Sequence, residues 1–294
     1  MRNILVVTGG AGFIGSNLIF ELLKFKKFRI LSIDNYSSGS VKNHIKSKQV
    51  KYLNGSTKNI ESLLGGYNNN IHTIFHFGEF ARIYQSFKKI NECFSSNIEG
   101  SSSVFNFALK NKIRLVYSAT SASLGNKGKD MNLSPYAFSK AKNLELLENL
   151  KKWFNFKYEV VYFYNVYGER QICKGDMATV VGIFEDCFKL GKKLPVVRPG
   201  TQQRRFTHVL DTVKACISAW RKNKCKHYSI ASRQSHSILE LAKMFKSKIR
   251  YLPKRKGERF ASALTKMNLN NKIIRLSAKI RLGGYVKNFL MNNH

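Results

Sequence analysis

The chain is short of acids, prolines and cysteines. Its 294 residues include 17 Asp and Glu against 51 Lys and Arg, with 4 Pro and 5 Cys. The cysteines form no C-x-x-C pair and show no metal-ligand spacing, so we expect a reduced, cytoplasmic protein and no metal site. No apolar stretch approaches membrane-spanning length, and the first predicted strand begins at residue 2, so we expect neither a membrane span nor a signal peptide. The lack of repeats and low-complexity segments argues against a multidomain array.

The shortage of acids leaves a formal net charge of +34, concentrated late in the chain. Residues 187–294 contain 26 Lys and Arg against Asp211, Glu240 and Glu258. Such an excess is typical of solvated surface in a lysine-rich proteome, or of a protein that neutralises nucleic-acid or membrane phosphates. Because no nucleic-acid-binding module accompanies the charge, we expect no nucleic-acid partner.

A glycine-rich turn follows the first apolar segment, residues 2–7, and precedes a helical pattern. Gly9, Gly12 and Gly15 are spaced so that the chain can turn, approach a pyrophosphate and pack helix on strand. The phosphates would lie at the helix N-terminus. The second apolar segment ends in Asp34, which can accept hydrogen bonds from ribose hydroxyls and would repel a 2′-phosphate. The motif predicts a dinucleotide site that prefers NAD to NADP; the alternative is a glycine turn without a ligand.

A second motif lies in residues 135–150, whose leucine spacing predicts a helix. Tyr136 and Lys140 then lie one turn apart on the same face. A neighbouring ammonium favours the phenolate form, so Tyr136 is predicted to take a proton from an alcohol near neutral pH. A surface Tyr–Lys pair without chemistry is the alternative, but the preceding dinucleotide motif favours catalysis.

Strands and helices alternate over the first half of the chain. This alternation predicts an α/β fold with a doubly wound parallel sheet, the Rossmann arrangement, in residues 1–165. Residues 166–294 are predicted to form mainly a smaller C-terminal substrate lobe. The predicted strands are residues 2–7, 29–33, 50–53, 73–77, 114–118 and 159–164, and the predicted helices are residues 13–25, 59–65, 88–110 and 136–153.

With these motifs the chain resembles the extended short-chain dehydrogenase/reductase family, specifically its NAD-dependent nucleotide-sugar epimerase and dehydratase branch. The resemblance covers almost the whole chain. It implies bound NAD, a nucleoside-diphosphate sugar as substrate and a homodimer. Besides the two motifs above, it is carried by residues 34–39, 74–78, 97–101, 116–121, 165–168, 200–209 and 255–258.

The resemblance also implies roles for individual residues. Thr120, Tyr136 and Lys140 would be catalytic, with Thr120 placed by counting back from Gly125. The predicted cofactor-binding residues are Gly9, Gly12, Phe13, Ile14, Gly15, Asp34, Asn35, Ser56, Phe77 and Gly78, together with Tyr136 and Lys140. The predicted substrate-binding residues are Glu79, Arg82, Thr120, Asn165, Arg204 and Arg255.

The implied reaction is epimerisation at C4 of a nucleoside-diphosphate hexose. Tyr136 would remove the 4-hydroxyl proton as hydride leaves C4 for NAD, Thr120 would hydrogen-bond the same oxygen, and Lys140 would hold the ribose and lower the pKa of the tyrosine. The 4-keto sugar would turn over and receive hydride on its other face.

Two alternatives stay open at this point. A 4,6-dehydratase needs an additional acid and base, yet the usual Asp-Glu pair is missing after Thr120. Glu79, where the family generally has a small residue, could serve instead, although its more ordinary interpretation is a salt bridge with Arg82. The second alternative is a basic RNA- or membrane-binding protein on the same fold.

Other departures from the family pattern concern binding. Ser56 stands where an adenine-contacting Asp is usual, which weakens that contact because serine is a weaker acceptor. Arg205 stands where Asp is common, so the substrate lobe has one acid fewer.

Overall fold

The computed structural model describes residues 2–124, 132–254 and 273–293. The six predicted strands are all present, each within a few residues of its predicted bounds. They are β1 (Ile4–Thr8), β2 (Arg29–Asp34), β3 (Val50–Asn54), β4 (Ile71–His76), β5 (Arg114–Thr120) and β6 (Tyr158–Phe163). The later strands are β7 (Val166–Tyr167), β8 (Leu194–Val197), β9 (Gln203–Arg204), β10 (Thr207–His208), β11 (His227–Ala231), β12 (His236–Ser237), β13 (Ile249–Leu252) and β14 (Ile273–Ser277).

The prediction of one continuous helix over residues 88–110 was wrong. This stretch consists of separate helical segments, because Lys89 has non-helical backbone angles (φ −124°, ψ 51°) and Ser95–Gly100 form a π-helical segment. The helices are α1 (Phe13–Leu22), α2 (Ile60–Leu64), α3 (Ile83–Lys88), α4 (Ile90–Phe94), α5 (Ser101–Lys110), α6 (Pro135–Phe154), α7 (Val180–Lys189), α8 (Val209–Lys222), α9 (Ile238–Met244) and α10 (Leu282–Met291).

The main sheet has eight parallel strands in the order β14-β11-β6-β5-β4-β1-β2-β3. The chain runs outward in one direction from β1 through β2 to β3, and in the other from β4 through β5 to β6. The strand order therefore reverses between β1 and β4, which is where a doubly wound sheet binds its ligand at the carboxyl ends of the strands. The doubly wound α/β fold is confirmed.

Apolar side chains pack on both faces of this sheet. One face carries a core that includes Phe105 and Tyr117, and the other a core that includes Leu18 and Trp220. A third core is formed by residues from the later part of the chain, from Tyr167 to Leu290. Because α8, β11 and β14 pack on or in the main sheet, the later part of the chain also contributes to the nucleotide-binding layer; the division at residue 165 stays a prediction. Across the residues that the structure describes, no helix is long and apolar enough to cross a membrane.

Candidate active site

The glycine turn after β1 has no room for side chains. Gly9 has φ +71°, a conformation that L-residues rarely adopt, and a Cβ there would lie 2.9 Å from the backbone of Gly78. A Cβ on Gly15 would lie 2.1 Å from the Gly9 carbonyl oxygen, and one on Gly12 would lie 3.1 Å from the same atom. Thr8, at the end of β1, ties this turn to the segment after β4, because its Oγ1 accepts the Gly78 N–H at 2.9 Å. This side-chain-free cradle at the start of α1 fits a dinucleotide pyrophosphate.

Asp34 ends β2 beside the cradle. Its two carboxylate oxygens accept the backbone N–H groups of Ala11 and Tyr36, both at 2.9 Å. Burial raises the pKa of Asp34, while the two backbone hydrogen bonds oppose that rise. Each oxygen keeps a further acceptor position, so the carboxylate can also receive ribose hydroxyls.

A cleft of about 690 Å³ opens at the carboxyl ends of these strands. Most of the residues predicted to bind cofactor or substrate line it. Those lining it are Gly9, Gly12, Phe13, Ile14, Gly15, Asp34, Asn35, Ser56, Phe77, Gly78, Glu79, Arg82, Tyr136 and Lys140.

Not every predicted site residue lines the cleft. Asn165, Arg204 and Thr120 are absent from its described lining. Arg204 lies in β9, where its side chain donates to the Gln203 carbonyl at 2.9 Å, and Asn165 has φ 31° in the turn before β7. Arg255 lies outside the described residues.

Tyr136 lies in the first turn of α6. The helix begins because the Ser134 hydroxyl accepts the Ala137 N–H at 3.1 Å and Pro135 occupies the first helical position. The Tyr136 side chain lies within interaction distance of that of Thr120, at the end of β5. Burial raises the pKa of Tyr136 to about 12, the Thr120 hydroxyl lowers it, and the negative charge of Glu79 raises it further.

Lys140 lies one turn beyond Tyr136, as predicted, but its ammonium is occupied. It donates to the carboxylate of Glu79 and to the Ser118 carbonyl at the end of β5. Its Nζ also lies 4.5 Å from the centre of the Tyr117 ring. Burial lowers the pKa of Lys140, while Glu79 raises it. The ammonium is thus compensated by an acid, which the sequence did not indicate.

Glu79 is the acceptor at the centre of a buried polar network. Its Oε1 accepts hydrogen bonds from Ser101 (2.9 Å), Tyr117 (3.0 Å) and Asn143 (3.1 Å), and its Oε2 accepts from Lys140. The side chains of Glu79 and Lys140 are 3% and 5% exposed. The predicted salt bridge between Glu79 and Arg82 is wrong, because the turn after β4 directs the carboxylate inward, between β5 and α6.

Arg82 lies in the cleft without an acidic partner among the described residues. It donates to the backbone carbonyls of Ala81, at 2.8 Å, and Met177. Its Nε is buried and has no hydrogen-bond partner among the residues that the structure describes. Burial lowers the pKa of the guanidinium, and the nearby Tyr136 raises it. An unneutralised cation beside the proposed base fits an anionic or oxygen-rich substrate.

The structure adds residues that sequence reasoning missed. Asn97, in the π-helical segment, joins the turn after β4 to α6: its Oδ1 accepts the Phe80 N–H at 2.6 Å and its Nδ2 donates to Ser139 at 3.1 Å. Asp176 and Met177 bring the loop before α7 to the cleft wall. Residues 97–101 were part of the resemblance without a site role for Asn97, whereas nothing in the sequence pointed to the loop.

His76 is buried at the end of β4. One ring nitrogen is hydrogen-bonded to Thr8 at 2.7 Å and the other to Ser101 at 2.9 Å. Burial lowers the pKa of His76 to about 4. In the described residues no group of three His, Cys, Asp or Glu side chains could hold a metal ion.

The chain matches a known protein family. The model of the NAD dependent epimerase/dehydratase family matches residues 5–231. The chain belongs to this family. Membership confirms the predicted resemblance, the enzyme class and NAD as the cofactor.

Individual relatives are similar to this chain over most of its length. The chain is 30% identical to an ADP-L-glycero-D-manno-heptose-6-epimerase of Brachyspira hyodysenteriae over 83% of this chain and 80% of that protein. It is 26% identical to a putative UDP-glucose 4-epimerase of Methanocaldococcus jannaschii over 84% and 82% of the two chains. The solved UDP-glucose 4-epimerase of Thermotoga maritima, with UDP-glucose, superposes with a TM-score of 0.85 at 25% identity, covering 98% of this chain and 97% of that one.

Proposed function

We propose that this family member inverts the configuration at C4 of a nucleoside-diphosphate hexose. The observation that carries the proposal is the closeness of the Tyr136 and Thr120 side chains, with Tyr136 lining the same cleft as the glycine cradle. This geometry would set one sugar oxygen between two hydroxyls and beside a bound nicotinamide. Two of the relatives above are named as 4-epimerases.

The proposed roles follow from position. NAD, when bound, supplies a hydride acceptor that returns the hydride within each cycle. Tyr136 would take the proton from the sugar hydroxyl and give it back, and Thr120 would hydrogen-bond that oxygen throughout. The cradle of Gly9, Gly12 and Gly15 would hold the pyrophosphate, and Asp34 the ribose.

The distribution of acids favours epimerisation over dehydration. Elimination of water needs an acid and a base near C5 and C6 of the sugar, and the described residues directly after Thr120 are Ser121, Ala122 and Ser123. Glu79, the earlier candidate, is bound to Lys140 and is 3% exposed. It is therefore a poor general acid for a sugar in the cleft.

One acid still supports a 4,6-dehydratase as the second candidate. Among the described residues the acids lining the cleft are Asp34, Glu79, Glu92 and Asp176. Asp34 is engaged by backbone N–H groups, and Glu92 is paired with Lys89 at 3.3 Å. Within the described lining the exposed Asp176 is the remaining acid, so it is the residue of this lining that a dehydratase would use.

The proposal extends to substrate contacts, assembly and location. Arg82 would contact the sugar nucleotide from the cleft, and Arg204, Arg255 and Asn165 stay predicted contacts to its diphosphate. A homodimer and a cytoplasmic location likewise stay predictions, the first checked by light scattering of the purified protein. A binding protein without chemistry would have no need of Thr120, Tyr136 and Lys140 together.

The test is incubation of the purified protein with NAD and UDP-, GDP-, dTDP-, CDP- and ADP-sugars, followed by mass spectrometry and NMR of the products. The proposal expects a product of unchanged mass that is inverted at C4. Inversion at another carbon would show that the reaction does not take place at C4. A product lighter by one water would establish the dehydratase.

A further inference from the structure

The acid at Glu79 is placed to control the lysine that the reaction uses. Its carboxylate is fully engaged as an acceptor, with three neutral donors on Oε1 and the Lys140 ammonium on Oε2. Acceptance from four donors is the pattern of an ionised carboxylate. The two side chains therefore form a buried ion pair whose charges cancel, and the pair lies in the wall of the proposed active site.

This pair changes the expected influence of Lys140 on Tyr136. An isolated ammonium one helical turn away would stabilise the phenolate. With Glu79 beside it, the ammonium is compensated, and the carboxylate itself disfavours a second negative charge on Tyr136.

We propose that Glu79 is a positioning residue for Lys140: it holds the ammonium at the Ser118 carbonyl and fixes the net charge that Tyr136 experiences. The inference rests on the proposed function for its importance in catalysis, but the arrangement itself can be tested without a sugar. Glu79 acts through Lys140 and is not assigned contact with the reacting atoms.

Replacement of Glu79 by Gln has a definite structural consequence. The amide oxygen can still accept from Ser101, Tyr117 and Asn143, so the amide nitrogen is left facing the Lys140 ammonium. Two donors cannot pair, and the carboxylate charge is gone. The compensation is then lost, and the phenolate of Tyr136 becomes easier to form.

Other charged groups face this network and must be kept constant. Four other titratable side chains surround Glu79, Tyr136 and Lys140. They are His76 in β4, Arg82 in the turn after β4, Cys93 in α4 and Tyr117 in β5. None of them is altered by the variants below.

The experiment is a pH titration of the NAD-free full-length protein, with all 13 tyrosines labelled with ¹³C at Cζ and the Tyr136 signal assigned by its loss in Tyr136→Phe. In the native protein this signal should not titrate below about pH 10, since an unperturbed tyrosine already titrates near 10. In Glu79→Gln its midpoint should fall by about one pH unit or more, a tenfold change in the ionisation constant.

Two variants serve as controls. Glu145→Gln removes an acid paired with Lys142 at 2.7 Å on the outer face of α6, where the two side chains are 60% and 49% exposed, and it should leave the Tyr136 midpoint as in the native protein. Glu79→Asp keeps the charge and should restore the native midpoint.

A native midpoint in folded Glu79→Gln would overturn the proposal. If Glu79→Gln does not fold, the double variant Glu79→Gln/Lys140→Met removes both charges, and its Tyr136 signal should show no titration below about pH 10. A clearly lowered midpoint in the double variant would contradict charge compensation.

With an active sugar nucleotide, the acid limb of the pH profile of kcat for Glu79→Gln should move to lower pH by the same amount. A uniform loss of kcat at every pH would mean that Glu79 is merely structural. Failure to find any substrate would count against the proposed function and leave the NMR result intact.

Discussion

Tyr136 and Thr120 bring their side chains within interaction distance although one lies in the first turn of a helix and the other ends a strand. The strand presents Thr120 at the carboxyl edge of the sheet, and the Ser134 cap fixes the first turn of α6 so that Tyr136 meets it. The pair is therefore held by two independent elements, which is what a site needs in order to orient one substrate oxygen.

Replacing Tyr136 by Phe should remove catalysis while sparing the fold. The change deletes the proton acceptor and little volume, and loss of a general base costs about 10²–10⁴-fold in rate. We expect kcat to fall by that factor, with NAD affinity by calorimetry and the thermal unfolding midpoint nearly unchanged. Activity close to that of the native protein would show that another group takes the proton.

His76 should make the stability of the protein sensitive to mild acid. Its pKa is lowered from 6.5 to about 4 in the folded state, so between these values the unfolded chain binds a proton that the folded chain does not. The free energy of unfolding should therefore decrease as pH falls through this window, by about 1.4 kcal/mol per pH unit from this residue.

Chemical denaturation at pH 7 and pH 5 checks this expectation against His76→Asn. The variant should be less stable at pH 7, because hydrogen bonds to Thr8 and Ser101 change, but it should lose less stability on acidification. Equal losses in the two proteins would assign the acid sensitivity to other groups.

Much of the nucleotide-binding layer could be predicted from sequence because its signals are local. The predicted strand of residues 2–7 is mostly apolar and is followed by three spaced glycines, and Asp34 ends the next apolar segment. Tyr136 and Lys140 need only helical periodicity to share a face. These features depend on neighbours in the chain, so strand, turn, helix and side-chain direction all followed from them.

The rest depended on contacts between distant segments. Glu79 lies three residues from Arg82, which suggested a local ion pair, but its partner Lys140 is 61 residues away. The interruption at Lys89 follows from backbone angles that the apolar pattern of residues 88–110 does not encode. The addition of β11 and β14 to the sheet likewise depends on tertiary packing, to which strand propensity is a weak guide.

Asp34 should make the protein select NAD over NADP. A 2′-phosphate would approach a carboxylate that is already buried and hydrogen-bonded, and the repulsion should weaken NADP binding by about tenfold or more, which is about 1.4 kcal/mol. Calorimetric titration of each cofactor into the NAD-free protein measures the ratio of the dissociation constants for NADP and NAD. Asp34→Asn should bring this ratio closer to one. Equal affinities in the native protein would contradict the role of Asp34.

Arg82 should contribute to binding of the sugar nucleotide. Loss of a hydrogen bond to a charged group costs about 1.5–3 kcal/mol, so Arg82→Ala should raise KM by about tenfold to a hundredfold. Lys222→Ala, at the last turn of α8 on the surface, serves as the control and should keep the native KM. An unchanged KM in Arg82→Ala would place the substrate elsewhere in the cleft.

Asp176 separates the two candidate reactions. If the enzyme is an epimerase, Asp176→Asn should change kcat by less than about tenfold, because no acid beyond Tyr136 is needed for the proton at C4. If it is a dehydratase, the same variant should stop water loss and leave a 4-keto sugar of unchanged carbon skeleton. Product mass measured for the native protein and the variant distinguishes these outcomes.

The most direct test of the central claim follows a label at C4. A nucleotide sugar carrying deuterium at C4 is converted in ordinary water, and the product is examined by NMR and mass spectrometry. The account predicts an inverted C4 that retains the deuterium, with the mass of the substrate and no hydrogen taken from solvent at any carbon. Loss of the label from C4, transfer of it to another carbon, or a product lighter by one water would contradict it.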